Sequence, residues 1–205
     1  MLDTDFFRRW MAATAAAVDR EADRLTELDA AIGDADHGSN MRRGFAAVDE
    51  VLDKAAPATP GAVLTLVGRH LISTVGGASG PLYGTLLRRT GKALDDATEV
   101  TRGQLAEALG SGVAAVAQLG GAQAGDKTML DALLPAVEVL GSSFEEARDA
   151  ALAGALATVP LQARKGRASY MGERSIGHQD PGAASSALLV GALAEAAEAS
   201  GGGDA

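Results

Sequence analysis

Apolar positions recur every three or four residues along most of this chain, and nowhere do they alternate over a strand-length run. Phe6, Phe7, Trp10, Met11, Ala15, Val18, Leu25 and Leu28 form the first stripe and predict a helix that delivers the chain to residue 29. Met41, Phe45, Val48 and Leu52 predict a second helix. A proline-containing connection over 54–61 follows, in which Thr59 before Pro60 reads as N-cap and first residue of a third helix carrying Val63, Leu64, Val67 and Leu71. The break at 75–81 separates it from a fourth helix running to Leu94. Thr101 and Gln104 have capping-box spacing for a fifth, with Leu105, Leu109, Val113 and Val116 on its face. After a glycine-rich break at 120–127, a sixth helix is expected to start at Lys127 or Thr128 and reach Leu140. Ser142 with Glu145 predicts the cap of a seventh, ending near Leu161. Residues 162–179 show no period and read as a long loop. Asp180-Pro181 then opens a last, Ala/Leu-rich helix, and 200–205 reads as a frayed tail. The expectation is an all-α fold of eight helices without a convincing strand, in a single domain over 1–205.

Composition supports that reading: alanine and leucine supply most of the apolar content, and aromatic residues make up only 3%. A chain of 205 residues is long enough for one sizeable core. The net charge of −9 and the absence of a basic stripe argue against a nucleic-acid backbone site. No cysteine is present, so disulfides, thiolate metal sites and cysteine nucleophiles are excluded, and a cytoplasmic location is expected. The charges at Asp3, Asp5, Arg8 and Arg9 do not fit a signal peptide, and no run of about 18 apolar residues exists to span a membrane.

The densest chemistry lies in 28–40, where Asp29, Asp34 and Asp36 fall within eight residues around an Ala/Gly turn. Carboxylates this close repel one another unless cations sit among them, and hard oxygen donors suit Mg²⁺ accompanied by phosphate oxygens. A turn with an N-cap is the plainer alternative. The spacing does not match an EF-hand loop, and no glutamate closes it. The turn runs into a predicted helix start, where the backbone N–H groups of Gly38, Ser39 and Asn40 would be free to meet an anion. His37 is a candidate contact for a phosphate or hydroxyl, or else a surface histidine.

Two glycine-rich segments and one basic loop add to this. Residues 76–84 put small side chains before a helix start, which suits either a phosphate contact or a plain helix–helix turn. Residues 120–128 look like a Walker A loop but fail, because Asp126 separates Gly125 from Lys127 and no strand precedes them. The glycines there either leave a slot for a flat base walled by Met129 or simply cap two helices. In the 162–179 loop, Arg164 or Arg167 could hold a phosphate, although a solvated charged loop would have the same composition. His70 falls inside a helix pattern and reads as structural. No Ser–His–Asp or paired-carboxylate hydrolase pattern is evident.

Taken together, the segments 33–40, 76–84, 125–131, 163–170 and 177–182 resemble, in order and over nearly the whole chain, the nucleotide-binding L subunit of dihydroxyacetone kinase. The resemblance implies an eight-helix antiparallel barrel with a nucleotide at one end and two Mg²⁺ ions held by Asp29, Asp34 and Asp36. It further implies that His37, Gly38, Ser39, Asn40, Ala78 and Ser79 lie at the phosphates, that Gly121 and Met129 line the base, and that Arg167, Asp180, Pro181 and Gly182 close the site. The implied partner is a separate K subunit carrying dihydroxyacetone. The chain has no room for K and so is similar to the stand-alone type, in which bound ADP is rephosphorylated by an M subunit of the phosphoenolpyruvate phosphotransferase system. Fused relatives use exchangeable ATP instead. A homodimer is left open. Two rival readings share these loops: a non-catalytic nucleotide-binding regulator, and a fatty-acid-kinase-type domain with a lipid-binding partner.

Overall fold

The computed structural model describes residues 1–201. Nine α-helices follow one another among them: α1 (Thr4–Ile32), α2 (His37–Phe45), α3 (Val48–Ala55), α4 (Pro60–Thr74), α5 (Ser79–Leu94), α6 (Arg102–Gly120), α7 (Leu130–Leu140), α8 (Phe144–Ala157) and α9 (Pro181–Gly201). A 3-10 segment, Arg167–Ser175, lies between α8 and α9. Eight helices were expected; the ninth comes from a break at Ala46-Ala47 that splits the predicted second helix into α2 and α3. Both pieces pack between α1 and α4, so they occupy one place in the architecture.

α2 and α3 each lie against α1 and α4, every helix from α4 onward lies against the next, and α9 returns against α1, which closes an eight-sided helical barrel. The α1–α9 pair is antiparallel: Trp10 Nε1 donates to the Leu189 carbonyl at 2.9 Å, Arg9 Nη2 reaches Ser200 Oγ at 2.8 Å, and Arg24 Nη2 reaches Gln179 Oε1 at 3.2 Å. The interior is filled by the stripes read from the sequence, including Phe6, Phe7, Trp10, Leu64, Leu87, Leu109 and Leu133, all buried. Close approach is sharpest between α4 and α5. A Cβ on Gly61 or Gly91 would come within 2.6 Å of the other's carbonyl oxygen, and one on Gly68 or Gly84 within 2.8 Å. These glycines repeat seven residues apart on each helix, so they form a seam along which the two backbones touch.

Caps set the helix ends as the side chains dictate. Thr59 Oγ1 accepts from Ala62 N–H with Pro60 next in line, and Thr101 with Gln104 makes the full capping box. Three boundaries differ from expectation. The cap of α8 is Ser143, whose Oγ accepts from Glu146 N–H at 3.2 Å, one residue later than predicted, and α8 stops at Ala157 rather than Leu161. The sixth predicted helix, α7, starts only at Leu130. Lys127 has φ of +63°, outside the helical region, and the Asp131 carboxylate takes the N–H groups of Gly125 and Thr128 at 2.6 and 2.7 Å, which holds the preceding loop in its own shape. Two residues of each of two strands, β1 (Leu2–Asp3) and β2 (Glu99–Val100), pair antiparallel; runs this short carry no periodicity to read. Ser200 and Gly201, expected in the tail, end α9, and the rest of that expected tail lies outside the described residues. Among the described residues no helix is long and apolar enough to cross a membrane.

The up-and-down order brings the starts of α2, α5, α7 and α9 to the same end of the barrel as the finishes of α1, α4, α6 and α8. That end therefore collects four helix N-termini, whose unpaired amides and partial positive charge favour anions.

Candidate functional site

At this end lies a cavity of about 610 Å³, a size suited to a nucleotide-sized ligand. A wider groove of about 900 Å³ runs over the outside of α4, α5 and α6, but it lacks a carboxylate cluster and none of the predicted site residues line it.

The acidic turn forms one wall of the cavity. Asp29 is buried at the end of α1, and its Oδ2 accepts from the N–H groups of Asp36 at 2.9 Å and His37 at 3.1 Å. These bonds fold the chain back so that one carboxylate oxygen from each of Asp29, Asp34 and Asp36 lies within 4.8 Å of the others. Ala35, between the two exposed aspartates, takes φ of +61°, a costly conformation for a residue with a Cβ. The turn is thus held in shape by Asp29 at some expense in backbone strain. Three convergent carboxylates of hard-oxygen type fit Mg²⁺, and the Arg167 guanidinium pairs with one of them, 3.2 Å from Asp34 Oδ2.

His37 begins α2 and is 7% exposed. Its Nε2 lies 2.9 Å from Ser185 Oγ on α9, and its Nδ1 lies 3.2 Å from Ser79 Oγ at the start of α5. Burial lowers its pKa against the opposing pull of Asp29 and Asp36. The surface-histidine alternative is excluded by its burial.

The remaining expected residues divide into those facing the cavity and those behind it. Ala78, Ser79, Met129, Arg167, Asp180, Pro181 and Gly182 line it together with Asp29, Asp34, Asp36 and His37. Gly121 sits between the lining residues Gly120 and Ala122, with φ of +56° where α6 ends. Gly38 lies behind the wall, against α1, where a Cβ would collide with the Ala22 carbonyl and Thr26. Asn40 is buried with its Oδ1 on Arg43 Nη2 at 2.7 Å, and its N–H donates to the Asp36 carbonyl at 2.9 Å. The expectation that the Asn40 amide is free for an anion is therefore corrected: the first turn of α2 already uses it, and Gly38 and Ser39 retain that position. Of the two arginines considered, Arg167 faces the cavity, whereas Arg164 is held by its backbone to the Asp126 carbonyl.

The roles of several residues were not legible in the sequence. Lys127, the lysine of the Walker-like segment, borders the cavity but turns its ammonium to backbone carbonyls. It is fully buried, and its Nζ donates to the carbonyls of Leu161 at 3.0 Å, Ser175 at 2.7 Å and His178 at 2.5 Å. It thereby pins the long loop against the start of α7. Burial lowers its pKa, with nearby Asp180 pulling the other way. Asp180 is itself buried, caps α9 by accepting from Ala183 N–H at 2.7 Å, and has its pKa pushed up to about 7 chiefly by desolvation. Tyr83, Ser185 and Ser186 form a buried hydroxyl cluster beside His37, and burial pushes the Tyr83 phenol up to about 12. Isolated Ser and Tyr codes within Ala/Leu-rich helices give no pattern that could have flagged them.

Fold and site together define an all-helical barrel with an end cavity that pairs a carboxylate triad with helix N-termini. The DAK2 domain family matches residues 31–195, and the chain belongs to that family. Among its relatives, the ADP-binding subunit DhaL of PEP-dependent dihydroxyacetone kinase from Escherichia coli is 44% identical over 199 residues, 92% of this chain and 95% of the relative. The ADP-binding subunit DhaL of PEP-dependent dihydroxyacetone kinase 2 from Listeria innocua is 42% identical over 206 residues, 95% of each chain. The solved dihydroxyacetone kinase from Citrobacter freundii, in complex with AMP-PNP and Mg²⁺, superposes with a TM-score of 0.71 at 29% identity. That match covers 91% of this chain but only 33% of the kinase, so this chain spans about a third of that protein.

Proposed function

We propose that this chain is the ADP-binding subunit of a dihydroxyacetone kinase. It holds a Mg²⁺-bound nucleotide and passes a phosphoryl group to dihydroxyacetone on a separate K subunit, with ADP rephosphorylated in place by an M subunit of the phosphotransferase system. The carrying observation is the cavity that joins three convergent carboxylates to four helix starts. The DhaL relatives named above, matched nearly end to end, support the same reading.

In this reading the outward oxygens of Asp29, Asp34 and Asp36 hold two Mg²⁺ ions. When bound, the cations neutralise charge that develops on the transferring phosphoryl group. The amides of Gly38 and Ser39, the start of α5 at Ala78 and Ser79, and His37 orient the phosphates. Gly121 and Met129 take the base. Arg167 and the Asp180-Pro181-Gly182 start of α9 close the cavity against water. Transfer of this type needs alignment and charge neutralisation more than a nucleophile from this chain. The acceptor hydroxyl belongs to the substrate on the partner. The absence of cysteine and of a membrane-spanning helix among the described residues supports a cytoplasmic setting.

The test is to purify the chain and identify its nucleotide, then combine it with a K subunit and either phosphorylated M subunit or free ATP. Bound ADP and product formation driven by the M subunit are expected. Protein that emerges nucleotide-free and turns over free ATP with K belongs to the ATP-dependent class instead. Nucleotide binding without transfer to any K subunit leaves a regulatory module.

A further inference from the structure

The segment 163–168 passes along the cavity as a strap pinned at both ends. Ala163 and Ala168 are buried in a small apolar cluster with Ile32, the last residue of α1. The Ala163 N–H donates to Ser175 Oγ at 2.9 Å, and the Arg164 N–H donates to the Asp126 carbonyl at 3.1 Å. Between these pins Lys165, Gly166 and Arg167 all line the cavity. Gly166 takes φ of +65°, a turn that a residue with a Cβ rarely makes, and the two cations beside it reach different walls. Arg167 meets Asp34 in the acidic turn. Lys165 meets the end of α6: its Nζ lies 3.9 Å from where a Cβ on Gly121 would stand. Leu82, Val116, Leu119, Ala122 and Met129 line the same cavity and make it apolar on that side. Lys165 is exposed and enters no ion pair among the described residues, so its ammonium keeps donors for a ligand.

We propose that Lys165 is a further ligand-contact residue, whose ammonium donates to the nucleoside half of the bound nucleotide, while Arg167 across Gly166 serves the phosphate half. The inference rests on the nucleotide reading. The cavity sorts a ligand by its chemistry. Phosphates belong with the carboxylates, their cations and the helix starts, which leaves the apolar side at Gly121 and Met129 for the nucleoside. Ribose oxygens and ring nitrogens are acceptors, and an ammonium with three donors is suited to them. The aliphatic stem of the lysine covers apolar surface at the same time. The strap thereby holds a nucleotide at two points, and the Lys165 point is one that a bare diphosphate does not offer. A different role is also open to a cation at this place: the last carbonyls of α6 attract it without any ligand. The two roles differ in what a substitution changes.

Calorimetric titration of the full-length chain, stripped of nucleotide, with Mg·ADP and separately with Mg·pyrophosphate tests this. Lys165→Met keeps the stem and removes the donors. It is expected to weaken Mg·ADP binding about five- to tenfold, the worth of one hydrogen bond from a charged group at an exposed rim, and to leave pyrophosphate binding within about twofold. Lys165→Arg, which keeps a cationic donor, should retain most of the Mg·ADP affinity. Arg167→Ala should weaken both ligands together. The stripped Lys165→Met protein should melt with the wild type. Equal losses for the two ligands would put Lys165 on the phosphates, and unchanged Mg·ADP affinity would leave it in solvent. A lowered melting temperature with intact Mg·ADP affinity would assign it to the end of α6. Each of these three results overturns the proposal while the nucleotide reading stands. A wild type that binds neither ligand overturns both.

Discussion

Arg167 Nη2 rests 3.2 Å from Asp34 Oδ2, joining the 3-10 segment after α8 to the acidic turn after α1. The guanidinium is two-thirds exposed and the carboxylate about one-third, so the pair sits at the rim, where water screens it. It contributes little to folding, but in the proposed function it bridges a bound phosphate and the turn. Arg167→Ala is therefore expected to leave the melting temperature nearly unchanged while weakening Mg·ADP retention at least tenfold. Arg167→Lys should recover little, because a single ammonium cannot replace the planar fork. Equilibrium dialysis and a thermal melt on the same preparations check this. A large stability loss with intact retention would assign the arginine to folding instead.

The three aspartates should separate by burial. Asp34 and Asp36 are exposed, so alanine at either position is expected to abolish Mg²⁺-dependent nucleotide retention with little cost to the apo fold. Asp29 also anchors the turn through the N–H groups of Asp36 and His37. Asp29→Ala should therefore destabilise the apo protein by about 1–3 kcal/mol, the cost of stranding buried donors. Asp29→Asn keeps an oxygen for those donors and loses only the charge, so it should be milder in the melt yet still poor in retention. Denaturant titration without metal, paired with nucleotide analysis of purified protein, distinguishes the two roles.

Lys127 holds three carbonyls that no other donor reaches in the hydrogen-bond pattern of the described residues. Lys127→Met fills similar space but leaves all three without a donor. A loss of about 3 kcal/mol or more is expected. Amide exchange should rise mainly over 158–179, the stretch that Lys127 ties down. Unchanged exchange there would mean that the loop is held by its other contacts, such as the Arg164 N–H to the Asp126 carbonyl.

How much of this was legible follows from the range of each interaction. Stripes such as Val63, Leu64, Val67 and Leu71 announced α4 because a helix face is a local pattern, and Thr59-Pro60 announced its start for the same reason. The acidic turn was legible because all three carboxylates lie in one short run. The break at Ala46-Ala47 was not, since alanine favours helix and the interruption answers to packing between α1 and α4. The anchoring role of Lys127 was not legible either: the Walker-like spacing was rightly set aside, but its carbonyl partners lie 34 to 51 residues away in sequence. The Ser79–His37–Ser185–Tyr83 chain joins residues 42 to 148 apart in sequence, and these contacts left no local trace.

Asp180 gives the apo protein a pH dependence of known sign. Its folded pKa, about 7, lies above the ordinary carboxylate value of 3.8, because burial at the start of α9 penalises the charged form. Between those values the folded state binds a proton that the unfolded chain has released. This group's contribution to stability is therefore full below pH 3.8, falls as pH rises, and is lost above about 7. From pH 5 to pH 8 the loss attributable to it is about 2–3 kcal/mol. Asp180→Asn keeps an oxygen to accept the Ala183 N–H, so the α9 cap survives, and the amide does not titrate. The expected result is a nucleotide-free variant whose stability declines less than the wild type's over pH 5–8, with the two curves diverging most on the alkaline side. Urea titrations at each pH, after exhaustive removal of nucleotide, measure the difference. Parallel curves would mean that Asp180 ionises normally in the folded chain, with water reaching it at the cavity wall.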